Sequence, residues 1–229
     1  MVTKVCIFDA YGTLFDVAAA ARLVAQEADF AQLAEAWPRI AGDWRDKQLQ
    51  YTWIRALTGA HTDFWTVTAE ALDWALAAAG MDGDAALRAR LLELYRELPA
   101  YPEVHDMLAA LRAQGVPAAI LSNGAPSMLE AAVRSAGIGA LLDDVLSVEA
   151  VGVFKPDRRV YDLVGARFGT RPDEVLFVSA NGWDAAAATG YGFGTVWVNR
   201  MGLPVDRLPW HPHRQLPDLS SLPQIAGTG

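Results

Sequence analysis

The stretch "VCIFDAYGTLFDV", residues 5–17, decides how the rest of the chain is read. The run "VTKVCIF" over residues 2–8 is short, apolar and β-branched, and reads as a buried strand. It is followed at once by a single carboxylate, Asp9, and then by a Gly12-Thr13 turn. An acid at the end of a buried strand is either a capping residue or a nucleophile. What else the chain brings to that end decides between them.

Beyond the turn the texture changes. From Asp16 to about Leu98 the sequence is rich in alanine and leucine and reads as helix, with breaks at Trp37-Pro38, Thr58-Gly59 and Gly80 to Gly83. Five of the eight tryptophans, Trp37, Trp44, Trp53, Trp65 and Trp74, fall in this stretch, which predicts a compact helical unit with its own small core.

After "LPAYPEV" helices and strands alternate. A helix over 102–114 precedes the strand "VPAAILS", and one over 126–136 precedes "VLSV". A helix over 157–168 leads to "EVLFVS", and one over 182–190 to "GTVWVNR". Repeated helix-then-strand units predict an α/β fold, a Rossmann-like parallel sheet with helices on both faces. The first strand has no partner outside that sheet. The plan is therefore a core of residues 1–15 and 99–229 with an α-helical cap subdomain, 16–98, inserted after the first strand. Residues 201–229 carry five of the twelve prolines and read as a surface tail with a short return, "LPDLSSLPQI".

Composition narrows the function. At 229 residues the chain can bury a sizeable core. A net charge of −8 with no basic stripe excludes a nucleic-acid binder, while a small anionic substrate needs only a local positive field. The lone Cys6 sits in the first strand and reads as a small core residue. No apolar run approaches the roughly 18 residues that span a bilayer, and no signal peptide precedes the first strand, so the expectation is a cytoplasmic protein with no membrane partner.

In an open parallel sheet, ligands bind at the carboxyl ends of the strands. The first strand delivers Asp9 and Thr13 there, and "AILS" delivers Ser122 and Asn123 before a helix opening at Pro126. The loop after "VLSV" delivers Lys155, and "LFVS" delivers Ser179, Asn181 and Asp184. Two carboxylates, an ammonium, hydroxyls and amides thus converge from four chain segments. Taken singly, Lys155 also reads as a solvated loop lysine and Asp184 as a charge favoured at a helix N-terminus.

The order Asp-x-Tyr-Gly-Thr, Leu-Ser-Asn-Gly, Lys-Pro-Asp and Ser-x-Asn-x-x-Asp resembles the haloacid dehalogenase superfamily. In detail, "FDAYGTLFDV", "WRDKQLQYTW", "LSNGAPSML", "KPDRRVY" and "FVSANGWDAAAA" are similar to the L-2-haloacid dehalogenases, over residues 4 to about 200. Phosphatases of the superfamily carry a second aspartate two residues after the nucleophile, to protonate the leaving alkoxide. Here that position is Tyr11, which with an ordinary pKa of about 10 is no general acid at neutral pH. Phosphatases also hold Mg²⁺ with clustered carboxylates, where this chain offers Asn181. A halide leaving group needs neither proton nor metal, so no cofactor is expected.

The resemblance implies that Asp9 attacks C2 of a small anionic 2-haloalkanoate and forms an ester that water then hydrolyses. It gives Lys155 and Thr13 the task of keeping Asp9 charged and oriented. It assigns Arg45 and Asn123 to the departing halide, and Ser122, with amides of the following helix, to the substrate carboxylate. Ser179, Asn181 and Asp184 resemble the set that positions Lys155 and the hydrolytic water, and Tyr161 matches a functional tyrosine. Tyr11, Leu49, Phe64 and Trp183 match residues lining the alkyl pocket. The plain alternatives are a surface ion pair with Asp46 for Arg45 and ordinary packing for Tyr161 and Phe64. Where the family pattern has glutamine this chain has Asp46. The same site also suits fluoroacetate as the electrophile, or azetidine-2-carboxylate, whose ring some relatives open, and a homodimer is implied as the assembly. His211 and His213, with no third ligand, read as surface residues rather than a metal site.

Overall fold

The computed structural model describes residues 3–227. Its strands are β1 (Val5–Phe8), β2 (Ala118–Ser122), β3 (Asp144–Ser147), β4 (Val175–Ser179), β5 (Gly194–Val198) and β6 (Arg214–Leu216). They form one parallel sheet in the order β3-β2-β1-β4-β5-β6. β1, β2, β4 and β5 are buried along their whole length, as expected for a parallel sheet covered on both faces. The core helices are α5 (Val104–Ala113), α6 (Pro126–Ser135), α7 (Arg158–Phe168), α8 (Gly182–Tyr191) and the short α9 (Leu222–Ala226).

The chain leaves β1 for β2 and β3 on one side, then crosses back to β4 on the other. The order therefore reverses at β1. Phe8 lies level with Ile120 on one side and Val178 on the other, so Asp9 emerges at the switch point where such sheets bind ligands.

Between β1 and β2 lie α1 (Ala19–Val24), α2 (Leu33–Thr58), α3 (Phe64–Ala78) and α4 (Ala85–Arg96). The two connections to the sheet run side by side: the Asp16 N–H donates to the Pro99 carbonyl and the Tyr101 N–H to the Leu14 carbonyl, both at 2.9 Å. Asp63 and Asp84 cap α3 and α4 by accepting from the Thr66 and Leu87 N–H groups. Ile40 and Trp44 of α2, Phe64 and Leu72 of α3 and Leu91 of α4 join Phe8, Leu14 and Phe15 in one continuous buried cluster.

Three sequence expectations need correction. The break at Trp37-Pro38 is not a helix end. Pro38 lies inside α2 near its start, where the lost N–H removes one hydrogen bond, and the helix continues for five further turns on a buried face through Ile40, Trp44, Gln48 and Thr52. The breaks at Gly59 and Gly80 are real; both glycines adopt the left-handed conformation that ends helices. The tail, secondly, is not only surface chain: Arg214–Leu216 adds β6 to the open edge of β5. Three mostly exposed residues close to Pro212 and Pro217 carry no hydrophobic alternation to signal a strand. The first strand is also shorter than read, beginning at Val5, and Val2 lies outside the described residues. No described helix is long and apolar enough to cross a membrane.

Candidate active site

Asp9 is the first residue beyond β1. Its N–H donates to the Val178 carbonyl at 2.9 Å, which pins the acid's backbone to the neighbouring strand. Gly12 then takes a positive φ of 89°, a conformation only glycine adopts without strain, and the turn brings Thr13 back beneath the carboxylate. Thr13 Oγ1 donates to Asp9 Oδ2 at 2.9 Å and accepts from the Ala180 N–H at 2.8 Å. Asn181 Nδ2 donates to the same Oδ2 at 2.9 Å. Among the described residues Asp9 Oδ1 accepts from Lys155 Nζ alone, at 3.1 Å. Oδ2 therefore has both lone pairs engaged, while Oδ1 keeps one free.

Lys155, between β3 and α7, is 1 % exposed. Its ammonium also donates to Asp184 Oδ2 at 2.8 Å. Burial pulls the Lys155 pKa down, but Asp184 and Asp9 outweigh it and hold the group above its ordinary 10.5. Asp184, in the first turn of α8, is fully buried; burial pushes its carboxyl up, against the pull of Lys155. Its Oδ1 accepts from Tyr161 Oη at 2.8 Å. Burial and the neighbouring Asp184 push the Tyr161 phenol well above its usual range, so this hydroxyl stays a donor.

On the other side, Asn123 Oδ1 accepts from the Lys155 N–H at 2.9 Å, which leaves the Asn123 Nδ2 donors to offer elsewhere. Ser122 Oγ accepts from the Gly124 N–H at 3.0 Å. Gly124 has no room for a side chain, since a Cβ would stand 2.7 Å from the Tyr11 ring. From above, α2 sends Arg45 down: Nη2 donates to the Tyr11 carbonyl and to Asn181 Oδ1, each at 3.1 Å. Asp46 beside it is exposed, and Arg45 turns away from it to these two partners rather than forming a surface ion pair.

Asp9, Tyr11, Arg45, Leu49 and Phe64 meet Ser122, Asn123, Lys155, Asn181 and Trp183 around a void of about 10 Å³, the room of one water. Thr13, Tyr161, Ser179 and Asp184 stand behind this lining. Ser179 Oγ, for example, accepts from the Asn181 N–H at 3.1 Å and so fixes Asn181 rather than facing the void. Tyr11 stacks on Tyr95 at 5.8 Å, and its buried hydroxyl has no partner among the described residues; burial above all, then Tyr95 and Asp9, push its pKa well above 10. His213, far from this site, is occupied at Nδ1 by Thr195.

Sequence reading missed several supports. Tyr95 is held by Gln48, which also donates to Thr68 Oγ1. Arg200, just beyond β5, donates to the Thr13 carbonyl at 2.9 Å and to Glu103 at 2.6 Å, with its guanidinium 3.7 Å over the Tyr101 ring. The carboxyl-end rule, applied to "GTVWVNR", carries the signal for Arg200. Nothing local in the sequence points to Tyr95.

A carboxylate at the switch point of an α/β sheet, beneath the helices that lie between β1 and β2, stands where sheets of this class bind their ligands. The chain belongs to the haloacid dehalogenase-like hydrolases, whose family model matches residues 3–192, and it is a hydrolase of their (S)-2-haloacid dehalogenase branch. It is 43 % identical to (S)-2-haloacid dehalogenase 1 of Pseudomonas sp. (strain CBS-3), over 97 % of this chain and 96 % of that one. A solved L-2-haloacid dehalogenase is 42 % identical with a TM-score of 0.91, covering 99 % of both chains. The L-2-haloacid dehalogenase of Xanthobacter autotrophicus with chloropropionic acid covalently bound is 36 % identical, with a TM-score of 0.87 over the whole of both chains.

Proposed function

We propose that the protein hydrolyses short L-2-haloacids to D-2-hydroxyacids through an ester on Asp9. The observation that carries this reading is the asymmetry of the Asp9 carboxylate at the void: Oδ2 is saturated by Thr13 and Asn181, while among the described residues Oδ1 accepts from Lys155 alone. Oδ1 attacks C2, and the carbon–halogen bond breaks with its electron pair leaving on the halide. Arg45 and the Asn123 amide nitrogen supply donors for that charge, while Ser122 and the start of α6 hold the substrate carboxylate. Water next attacks Cγ of Asp9, not C2. The ester breaks to return the carboxylate, the hydroxyacid leaves, and one proton is released, with Asp184 as the buried base beside Lys155.

Inversion at C2 therefore occurs once, so an L substrate gives a D product. Chloropropionic acid bound covalently in the Xanthobacter relative supports the ester route. Tyr11, where a phosphatase needs its acid, argues against phosphoryl transfer, because its hydroxyl is buried and held protonated. In this reading residues 16–98 act as a cap subdomain over a core of 1–15 and 99–229, and two such chains pair as a homodimer, which sedimentation tests.

The deciding experiment is halide release from each enantiomer of 2-chloropropionate with chelator present, beside a phosphate ester with Mg²⁺. Release from the L form alone, indifferent to chelator, is the expected result. Metal-dependent phosphate release without halide would overturn the reading; with both assays blank, fluoroacetate and azetidine-2-carboxylate are the next substrates to try.

A further inference from the structure

The void at Asp9 is far too small for an alkyl chain, yet a much larger cavity begins on the other side of one of its walls. A groove of about 550 Å³ lies between α2, α8 and the tail, lined by Trp53 and Leu57, Ala186 and Ala187, and Leu208 and Trp210. Trp183 is common to both, lining the void at Asp9 and the groove. The indole packs edge-on against Trp53 at 5.4 Å, and its buried Nε1–H has no hydrogen-bond partner among the described residues. It is held by packing alone, without a polar tether.

Two more observations join the spaces. On α2 the residues Arg45, Leu49, Trp53 and Leu57 recur every four positions, so each neighbours the next along a stripe that winds slowly around the helix. The first two line the void and the last two the groove, a path of about 12 Å from Leu49 to Leu57 at 1.5 Å per residue. Likewise Lys155 faces the void while the next residue, Pro156, faces the groove. The lining is apolar apart from Asp157, whose carboxylate is already taken by Arg159 and the start of α7. Leu57 is 88 % exposed, which leaves the groove open to solvent.

We propose that this groove is an alkyl-tail subsite, taking the hydrocarbon chain of medium-chain 2-haloalkanoates whose C2 is held against Asp9, with Trp183 as the partition the chain passes. The proposal rests on the dehalogenase reading above. Its occupant follows from chemistry: a chain extending from C2 beside Asp9 has one apolar space to enter along α2, and that space offers hydrocarbon and aromatic surface without a free charge.

The test is kcat/KM for 2-bromooctanoate and for 2-chloropropionate in the wild type and in Ala187→Trp, which fills the groove from α8 without touching the void. Ala56→Trp fills it from α2 and guards against a local packing defect in the first variant. The wild type is expected to release halide from both substrates. Each variant should lose about tenfold or more on 2-bromooctanoate, the effect of exposing two or three methylenes, and stay within about twofold on 2-chloropropionate. A wild type inactive on 2-bromooctanoate but active on 2-chloropropionate overturns the subsite. So do variants that lower both substrates alike or neither. A dimer that falls apart in both variants with chain-length preference unchanged assigns the groove to a second copy and also overturns it. No halide from either substrate in the wild type sinks the dehalogenase reading itself, and the subsite with it.

Discussion

Asn181 stands 2.9 Å from Asp9 Oδ2 through its amide nitrogen, while its amide oxygen accepts from Arg45 Nη2 at 3.1 Å. The two partners fix the orientation, because a carboxylate only accepts and a guanidinium only donates. One amide thus ties the acid after β1 to an arginine on α2, across the boundary between sheet and helical layer.

Asn181→Asp would turn that donor into an acceptor and set a second carboxylate against Asp9. Like charges at this distance raise the pH at which one of them takes a proton. Halide release should fall by about a hundredfold, and the acid limb of the kcat–pH profile should move to higher pH. Stopped or steady-state halide assays across pH check both. An unchanged rate with an unmoved acid limb would mean that Asn181 does not hold Asp9.

Lys155→Met leaves Asp9 and Asp184 buried without their shared cation. Breaking a buried pair in this way costs about 3–5 kcal/mol, so the variant should unfold at clearly lower denaturant as well as lose activity. Guanidinium melts beside halide assays separate the two effects. A variant as stable as the wild type would contradict the buried triad.

The same lysine gives a pH dependence with a definite sign. Its folded pKa lies above the ordinary 10.5, so its charge contributes stability fully below 10.5, and that stability is lost only as pH rises through the raised value. The lysine-dependent part of stability, taken as wild type minus Lys155→Met, should therefore stay level up to 10.5 and decline beyond it. A decline centred well below 10.5 would mean that burial, not the carboxylates, sets the protonation of Lys155.

How much of this was legible in the sequence depends on where each signal resides. The buried strands announced themselves as short apolar runs, and the carboxyl-end rule brought Asp9, Ser122, Lys155 and Asn181 together without any structure. β6 was missed because three mostly exposed residues among prolines carry no periodicity. Pro38 misled because a proline's effect depends on how many helical residues precede it, which only the packing of α2 fixes. Tyr95 and Arg200 support the site from elements read as cap helix and strand end, and their role depends on tertiary approach rather than local pattern.

Arg200 illustrates the point. Its guanidinium holds the Thr13 carbonyl and is itself held by Glu103 and Tyr101. Arg200→Ala should lower kcat by about tenfold with KM little changed, since it loosens the turn that carries Thr13 without touching substrate. Arg200→Lys, which keeps one donor, should recover part of the loss. A drop in melting temperature with kcat intact would reduce Arg200 to a structural role.

Cys6 should be inert in the native protein. It is fully buried in β1, and burial pushes its thiol pKa up to about 12, so almost no thiolate exists at neutral pH. A disulfide-exchange reagent at neutral pH should label nothing until denaturant is added; rapid native labelling would mean that β1 opens readily.

The central claim is that Asp9 itself forms the bond to C2. A single turnover of L-2-chloropropionate in heavy-oxygen water, with enzyme in excess, tests it most directly. Mass analysis of the peptide carrying Asp9 should find the heavy oxygen in the Asp9 carboxylate, and the first-formed lactate should carry the ordinary oxygen that Asp9 donated. Heavy oxygen in the first-formed lactate with Asp9 unlabelled would mean that water attacks C2 directly, and Asp9 would then be a base rather than a nucleophile.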